Sequence, residues 1–290
     1  MRLRAPRRDE AAAVHAVILA RDVADVGRPD YSLQDVLDDW DLPEIDLARD
    51  VFVVEDDDGV LVGWADVDER GARVAVHPEH EGRGVGTLLR GAVEARMREL
   101  DIAVSQIVVP ANRAAVEHLR RAGYERIAVH QRMRAAIDAV PAPLAVPVRH
   151  FDLEAEGPAV HQLIATALSE IEGTATQSYA TWHAEVAAKS APAFRLALDD
   201  DEGLVAAAVG HRWEDGVGYV AMLGVAARAR GRGHGRTLLL ALLGAFRAAG
   251  LTTAELSVAG TNAPATRLYE SAGMTPDVRI ERWELRGSPA

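Results

Sequence analysis

Val225-Ala226-Ala227-Arg228-Ala229-Arg230-Gly231-Arg232-Gly233-His234-Gly235-Arg236-Thr237-Leu238-Leu239 carries the most specific pattern in the chain. An apolar run, Tyr219 to Val225, enters it and an apolar helical run, Leu238 to Phe246, leaves it, so the glycines fall where a strand turns into a helix. Glycines at alternate positions let successive backbone N–H groups converge, and the first turn of a helix adds unpaired N–H groups and the positive end of its dipole. The turn is suited to an anion, and a pyrophosphate is its natural ligand. A Rossmann fingerprint would need a third glycine three positions after the second and an acidic residue about 20 residues on, and a P-loop would need Gly-Lys-Ser/Thr. Neither pattern is present. An Arg/Gly-rich RNA-binding tail would lie in polar, disordered sequence, whereas this run is bracketed by residues suited to burial.

The same signals occur once more upstream. Arg73 to Val76 reads as a strand running into His77-Pro78-Glu79-His80-Glu81-Gly82-Arg83-Gly84-Val85-Gly86, with a helix from Thr87 to Leu100 behind it. Val76 and Val225 are 149 residues apart, as are Gly82 and Gly231; Asn112 and Asn262 are 150 apart, as are Gly123 and Gly273. Anchors that recur in order at this period describe a tandem duplication of a half-chain unit.

The flanking elements repeat as well. In the first half, Met1 to Ala5 is a short strand, Asp9 to Ala20 and Tyr31 to Trp40 are helices, and Val51 to Val54 and Val60 to Ala65 are strands around an acidic turn ending in Gly59. Ile102 to Val109 is a strand, Asn112 to Ala122 a helix closed by Gly123, and Glu125 to Met133 a strand. In the second half, Val148 to Phe151 restarts the pattern. Gly157 to Leu168 and Tyr179 to Ala188 are its helices, Phe194 to Leu198 and Leu204 to Gly210 its hairpin, and Thr253 to Val258 its later strand. Pro141, Pro143 and Pro147 mark a semi-rigid joint, so we expect one domain over residues 1–140 and another over 146–290.

Composition narrows the partners. A chain of 290 residues is long enough for two cores, and a net charge of −12 argues against general affinity for nucleic acid or anionic lipid. Without cysteine there is no disulfide framework, thiolate metal site or cysteine nucleophile, and no metal is expected. Met1 to Pro6 carries charge without an apolar region, and no run approaches the ~18 apolar residues of a membrane span. We expect a soluble, cytoplasmic protein, monomeric or homodimeric, that binds no membrane.

These residues resemble the GCN5-related N-acetyltransferase (GNAT) superfamily, and the chain is similar to a tandem GNAT protein. The family's coenzyme A motif is Arg/Gln-x-x-Gly-x-Gly/Ala between strand and helix, which Arg230-Gly231-Arg232-Gly233-His234-Gly235 fits; its second motif is an Asn, a Tyr about seven residues later and a closing Gly, which Asn262, Tyr269 and Gly273 fit. The resemblance implies an α/β fold: two mixed, twisted sheets flanked by helices, each with its fourth and fifth strands splayed to admit the pantetheine arm. It implies acetyl-CoA as cofactor, held by Leu223, Gly224, Val225, Arg230, Gly231, Arg232, Gly233, His234, Gly235, Arg236 and Asn262. Val76, Gly82, Arg83, Gly84, Gly86 and Asn112 would hold it in the first unit. It further implies direct transfer of an acetyl group to a primary amine of a small molecule or peptide, with backbone N–H groups meeting the oxyanion and Tyr269 protonating the thiolate that leaves.

The first copy departs from the pattern. Glu81 stands where the family has Arg or Gln, and Leu119 stands seven residues after Asn112, where the second copy has Tyr269. Leucine cannot donate a proton, so the first unit reads as catalytically degenerate, with His118 and Tyr124 the remaining candidates for a donor there. The architecture is similar to that of mycothiol synthase, in which a Glu on the fourth strand, six residues before the motif valine, is the expected base. Tyr219 occupies that position here. That leaves the base open among His211, Glu172, Glu170, Glu214 and Asp215, with Glu172 and His211 the first to test. It also leaves open an acetyl-CoA-binding regulator without transfer activity. Trp182 and Trp213 fit either an acceptor wall or the core.

Overall fold

A computed structural model describes residues 1–139, 148–171, 177–213 and 216–287. Its elements in chain order are β1 (Arg2–Arg4), α1 (Ala11–Val26), α2 (Leu33–Trp40), β2 (Val51–Glu55), β3 (Leu61–Asp68), β4 (Gly71–Val76), α3 (Val85–Glu99), β5 (Ser105–Val108), α4 (Arg113–Arg121) and β6 (Tyr124–Ala136). They continue with β7 (Arg149–His150), α5 (Leu153–Ser169), α6 (Tyr179–Lys189), β8 (Arg195–Asp200), β9 (Gly203–Arg212), β10 (Val217–Val225), α7 (His234–Ala248), β11 (Thr253–Ala259), α8 (Ala263–Ser271) and β12 (Thr275–Leu285). The duplication expected from the spacing is therefore present element by element. Residues 140–147, which hold the expected joint, lie outside the described residues.

Two compact units form, but they are not consecutive halves. One comprises Met1–Val129 with Ile280–Ala290, the other His130–Arg279. In the first unit the strand order is β1-β2-β3-β4-β5-β12, antiparallel except for β4 with β5. In the second it is β6-β11-β10-β9-β8-β7, antiparallel except for β10 with β11. Each sheet is completed by a strand from the other half: Glu281 to Glu284 pair with Ser105 to Val108, and His130 to Ala136 pair with Thr253 to Ala259. Nothing in a 2.0-residue alternation distinguishes one long strand from another as a partner. The exchange is a decision of the tertiary structure.

In the second unit the helices cover both faces of the sheet. Leu239, Leu243 and Phe246 of α7 and Tyr269 of α8 pack with Val220 and Leu256, while Val160 and Ile164 of α5 and Trp182 of α6 pack with Ala207, Val209 and Met222. A Cβ at Gly210 or Gly218 would lie 2.6 or 2.4 Å from the Phe246 ring, so these two positions exclude any side chain and let α7 sit close on β9 and β10. Most element ends differ from the sequence reading by a few residues, α1 running to Val26 rather than Ala20, and two of the shifts bear on the second unit's site. Helix α5 starts at Leu153 rather than Gly157, because Asp152 caps it, its Oδ1 accepting the Ala155 N–H at 2.8 Å. Helix α7 starts at His234, directly after a left-handed glycine, so His234, Gly235 and Arg236 form its first turn.

Candidate functional site

Strand β10 is shared by two neighbours for only part of its length. Its parallel ladder to β11 runs from Val217↔Thr253 to Val220↔Leu256 and stops there, while its antiparallel ladder to β9 continues to Val225↔Ala206. The continuation is interrupted between Val220 and Met222 by an irregularity that leaves Ala221 as an extra residue. Such a bulge bends and twists its strand, which turns the end of β10 away from β11 and opens a fork beyond Val220 and Leu256. Past it, Leu223 and Val225 offer backbone groups on the side that β11 has left.

The fork leads to the glycine loop. Gly231 has φ +76° and Gly233 φ +86°, and a Cβ at either would meet nothing within 4 Å. Backbone angle alone, rather than protein crowding, requires glycine at these two positions, and the space in front of them stays open for a ligand. Gly233 is the N-cap of the 15-residue helix α7, whose first N–H groups need an external acceptor. Arg230 and Arg232 are exposed beside them, with Arg236 half-buried in the first turn. Arg230 donates to the Val225 carbonyl at 3.2 Å and pairs with Glu170 at 2.5 Å, and that pairing holds the Glu170 carboxyl below its ordinary range. These residues fit a coenzyme A pyrophosphate. On the α5 side of the loop lies a cavity of about 340 Å³ bounded by Leu163, Thr166, Leu204, Val225 and Arg230. Gly224 is explained by packing: its Cβ would lie 3.1 Å from the Ile164 Cα of α5.

Asn262 caps α8, its Oδ1 accepting the Ala265 N–H at 3.1 Å, and so fixes the helix that carries Tyr269. Tyr269 is 9% exposed and packs in the α7 side of the core. Burial, with a contribution from Tyr219, pushes its hydroxyl up to about 12. A phenol with that value stays protonated at neutral pH and is competent to donate.

On the opposite face of the sheet a row of polar and aromatic groups crosses four strands. Register places Arg134, Glu255, Tyr219 and His211 side by side on β6, β11, β10 and β9. Arg134 pairs with Glu255 at 3.2 Å, Tyr219 stacks on Trp213 with ring centroids 4.2 Å apart, and the Arg132 guanidinium lies 5.9 Å from the Trp213 ring. His211 is buried. Trp182 is also buried, its indole N–H directed at the Met222 sulfur at 3.0 Å, which makes it a core residue. Glu172, Glu214 and Asp215 lie outside the described residues. Glu255 and Arg134 escaped the sequence reading; the available signal was a carboxylate at an alternate position inside the apolar run Thr253 to Val258.

The family model for the acetyltransferase (GNAT) family matches residues 18–124 and again 158–274. The chain belongs to the GNAT family. It is 30% identical over 263 residues to a mycothiol acetyltransferase of Acidothermus cellulolyticus, covering 79% of this chain and 78% of that one. It is 31% identical to another of Beutenbergia cavernae, covering 78% and 80%. Among solved structures, a GCN5-related N-acetyltransferase from Sphaerobacter thermophilus superposes with a TM-score of 0.79 at 25% identity, covering 98% of this chain and 94% of that one. A tandem GNAT protein from the clavulanic acid biosynthesis pathway shares the fold, with a TM-score of 0.70 at 20% identity over the whole of both chains. The protein is thus a tandem GNAT N-acetyltransferase that uses an acyl-CoA, and it resembles mycothiol synthase.

The GNAT features of the first unit are differently filled. Its β4–β5 ladder is limited to Ala72↔Gln106 and Arg73↔Ile107, but β3 and β4 pair without a bulge from Asp68↔Gly71 to Gly63↔Val76. Gly82 and Gly84 have φ +72° and +90°, like their counterparts. Glu81, however, pairs with Arg21 of α1, Arg21 pairs with Asp25 at 2.8 Å, and Asn112 Nδ2 donates to Asp25 at 3.4 Å. This chain of contacts runs from the loop after β4 to the turn after β5. Burial raises the Asp25 carboxyl above its ordinary value. On the helix α1–α2 side, Arg73 pairs with Asp66 and Asp39 and lies 5.1 Å from the Tyr31 ring. Leu119 is buried in the apolar core. Tyr124 is buried too, donating to Glu94 at 3.1 Å and accepting from Gln106 at 3.2 Å, and His118 Nε2 accepts from Arg90 at 3.1 Å.

No helix of the described residues is long and apolar enough to cross a membrane. Among the same residues no group of three His, Asp or Glu could hold a metal ion.

Proposed function

We propose that the second unit transfers an acetyl group from acetyl-CoA directly to a primary amine of a small molecule or peptide, and that the first unit supports it without catalysing. The observation that carries this reading is the convergence, within one unit, of the bulged fork, the positive-φ glycines at the α7 N-terminus and a protonated Tyr269. Arg230, Arg232, Arg236 and the α7 N–H groups supply charge and hydrogen bonds for the pyrophosphate. Backbone groups of Leu223 and Val225 hold the pantetheine amides, and an N–H beside the bulge polarises the thioester oxygen. Acetyl-CoA supplies the activated acyl group; Tyr269 supplies the proton for the departing thiolate. With no cysteine in the chain, no cysteinyl acyl-enzyme forms.

Relatives named mycothiol acetyltransferase favour a small-molecule acceptor of mycothiol type. The test is incubation of the purified protein with acetyl-CoA and glycinamide, glucosamine, putrescine or an Ala-Gly dipeptide, followed by mass spectrometry of the acetylated product and release of free coenzyme A. Acceptor-dependent release is expected. Tight acetyl-CoA binding with no release for any amine would instead indicate a regulatory module.

A further inference from the structure

We propose that Glu255 is the base that takes the proton from the acceptor amine. This rests on the transfer reading above. An ordinary aliphatic ammonium is protonated at neutral pH and has no lone pair with which to attack, so a proton acceptor has to stand near the thioester carbon.

Position is the first argument. Val220↔Leu256 is the last rung before the fork, and Tyr219↔Glu255 is the rung beneath it. Val220 and Leu256 point to the α7 side, where they join the core with Phe246 and Tyr269. Side chains alternate along a strand, so Glu255 and Tyr219 point to the other face at the root of the fork. The proton donor and Glu255 therefore approach the splayed strands from opposite faces, as a transfer requires when one group serves the leaving sulfur and the other the arriving nitrogen.

Burial is the second. Glu255 is 3% exposed, and among the described residues of the second unit no other carboxylate is so deeply buried. A carboxylate in the middle of a core strand costs stability even when paired, and an ion pair with Arg134 on the surface would have avoided that cost. Arg134 pairs with the Glu255 carboxylate at 3.2 Å, and the register sets Tyr219, with Trp213 stacked on it, and then His211 along the same row.

The duplication provides the third. The residue 150 positions before Glu255 is Ser105, just as Leu119 is 150 before Tyr269. In the first unit Ser105 faces Gly71, where a Cβ would lie 2.7 Å from the serine Oγ. That unit lacks both the carboxylate and the tyrosine, yet has both positive-φ glycines of its loop. The two proton-handling groups occur together in one unit and are absent together from the other, as an acid–base pair predicts; a structural ion pair gives no reason for it.

The step balances. Glu255 takes a proton from the ammonium, the freed lone pair forms the C–N bond, and the C–S bond breaks. Tyr269 protonates the sulfur and is reprotonated by water, while the nitrogen's second proton and the one held by Glu255 both pass to water. Ammonium and thioester thus give amide, thiol and one proton.

Glu255→Gln tests this in the full chain, with the four amines above and with water alone as acceptor, from about pH 6 to pH 10. Turnover at pH 7 is expected to fall about 100-fold or more, with calorimetric acetyl-CoA affinity within about twofold of wild type. The deficit should shrink as pH rises toward the acceptor's own pKa, because the amine then arrives deprotonated. Glu255→Asp, which keeps a carboxylate, should retain the wild-type pH profile at reduced turnover and covers the case of a glutamine variant that does not fold. Turnover of E255Q within about threefold of wild type overturns the assignment, as does an equal loss at every pH accompanied by lost acetyl-CoA affinity. A wild-type protein that releases coenzyme A with neither amine nor water overturns the transfer reading along with it, whereas wild-type transfer unaffected by E255Q overturns Glu255 alone.

Discussion

The two glycine loops share their positive-φ glycines and carry opposite charges at the residue before them. In the second unit the residue before the first glycine is Arg230, paired with Glu170 in the turn that ends α5; in the first it is Glu81, paired with Arg21 in the last turns of α1. One contact between the first helix and the loop thus occurs twice with its charges reversed. The reversal changes what the loop can hold, because Arg230 leaves a cation facing an open anion site, whereas Glu81 brings a carboxylate to it and Arg21 is spent neutralising that carboxylate. Asp25 and Asn112 then extend the first unit's pairing across its groove. Backbone geometry is what duplication copied; side-chain chemistry is what diverged afterwards.

The contrast between the loops has measurable consequences. The largest effect is expected from Gly233→Val, which forces a β-branched residue to φ +86° and places its side chain in the anion site: acetyl transfer should fall more than about 100-fold, while Gly84→Val leaves turnover within about threefold. Equal losses in a coupled thiol-release assay would mean that both units work.

Tyr269→Phe is next. It should reduce kcat about 100-fold with acetyl-CoA affinity within about twofold, as expected for a group that acts on the leaving sulfur and not on cofactor binding. Because burial lifts Tyr269 to about 12, its protonated form persists across the neutral range, and it contributes no falling limb to the kcat profile below about pH 10. For stability the sign is the same: the unfolded phenol titrates near 10, so the folded state binds more protons between about pH 10 and pH 12, and stability falls with rising pH across that window. The Phe variant should lose this dependence in alkaline melts.

Calorimetric stoichiometry addresses the barred groove. Wild type should bind one coenzyme A per chain, and the double substitution Arg21→Ala with Glu81→Arg should add a second, weaker site. The smallest effect belongs to Glu170→Gln, which releases Arg230 from an exposed pair and should tighten acetyl-CoA binding no more than about threefold.

Much of this was legible in order along the chain. Gly231 and Gly233 were readable as a strand-to-helix anion turn because only glycine tolerates that backbone, and the 149- and 150-residue periods were readable because each repeat must build the same elements in the same order. Asn262 and Tyr269 were singled out only by the resemblance to the GNAT motif, since a tyrosine on an amphipathic helix reads by itself as a packing residue. Glu255 did not, since its meaning depends on which strand lies beside it. Helix α5 begins before the expected Gly157 because the Asp152 cap, five residues earlier, starts it at Leu153.

The sequence by itself determined the local backbone: where strands turn into helices, which turns need positive φ, and that one unit occurs twice. Those choices depend on sterics and hydrogen bonding between residues close in the chain. Only the tertiary structure decided that each half completes its sheet with the other's last strand, that a bulge at Ala221 opens the fork, and that Arg134, Glu255, Tyr219 and His211 stand in one row. These depend on register between strands that are up to 179 residues apart in sequence, as for Glu284 and Ser105, and 121 apart for Glu255 and Arg134. A period-2 pattern says which face a side chain takes but leaves its neighbour unspecified.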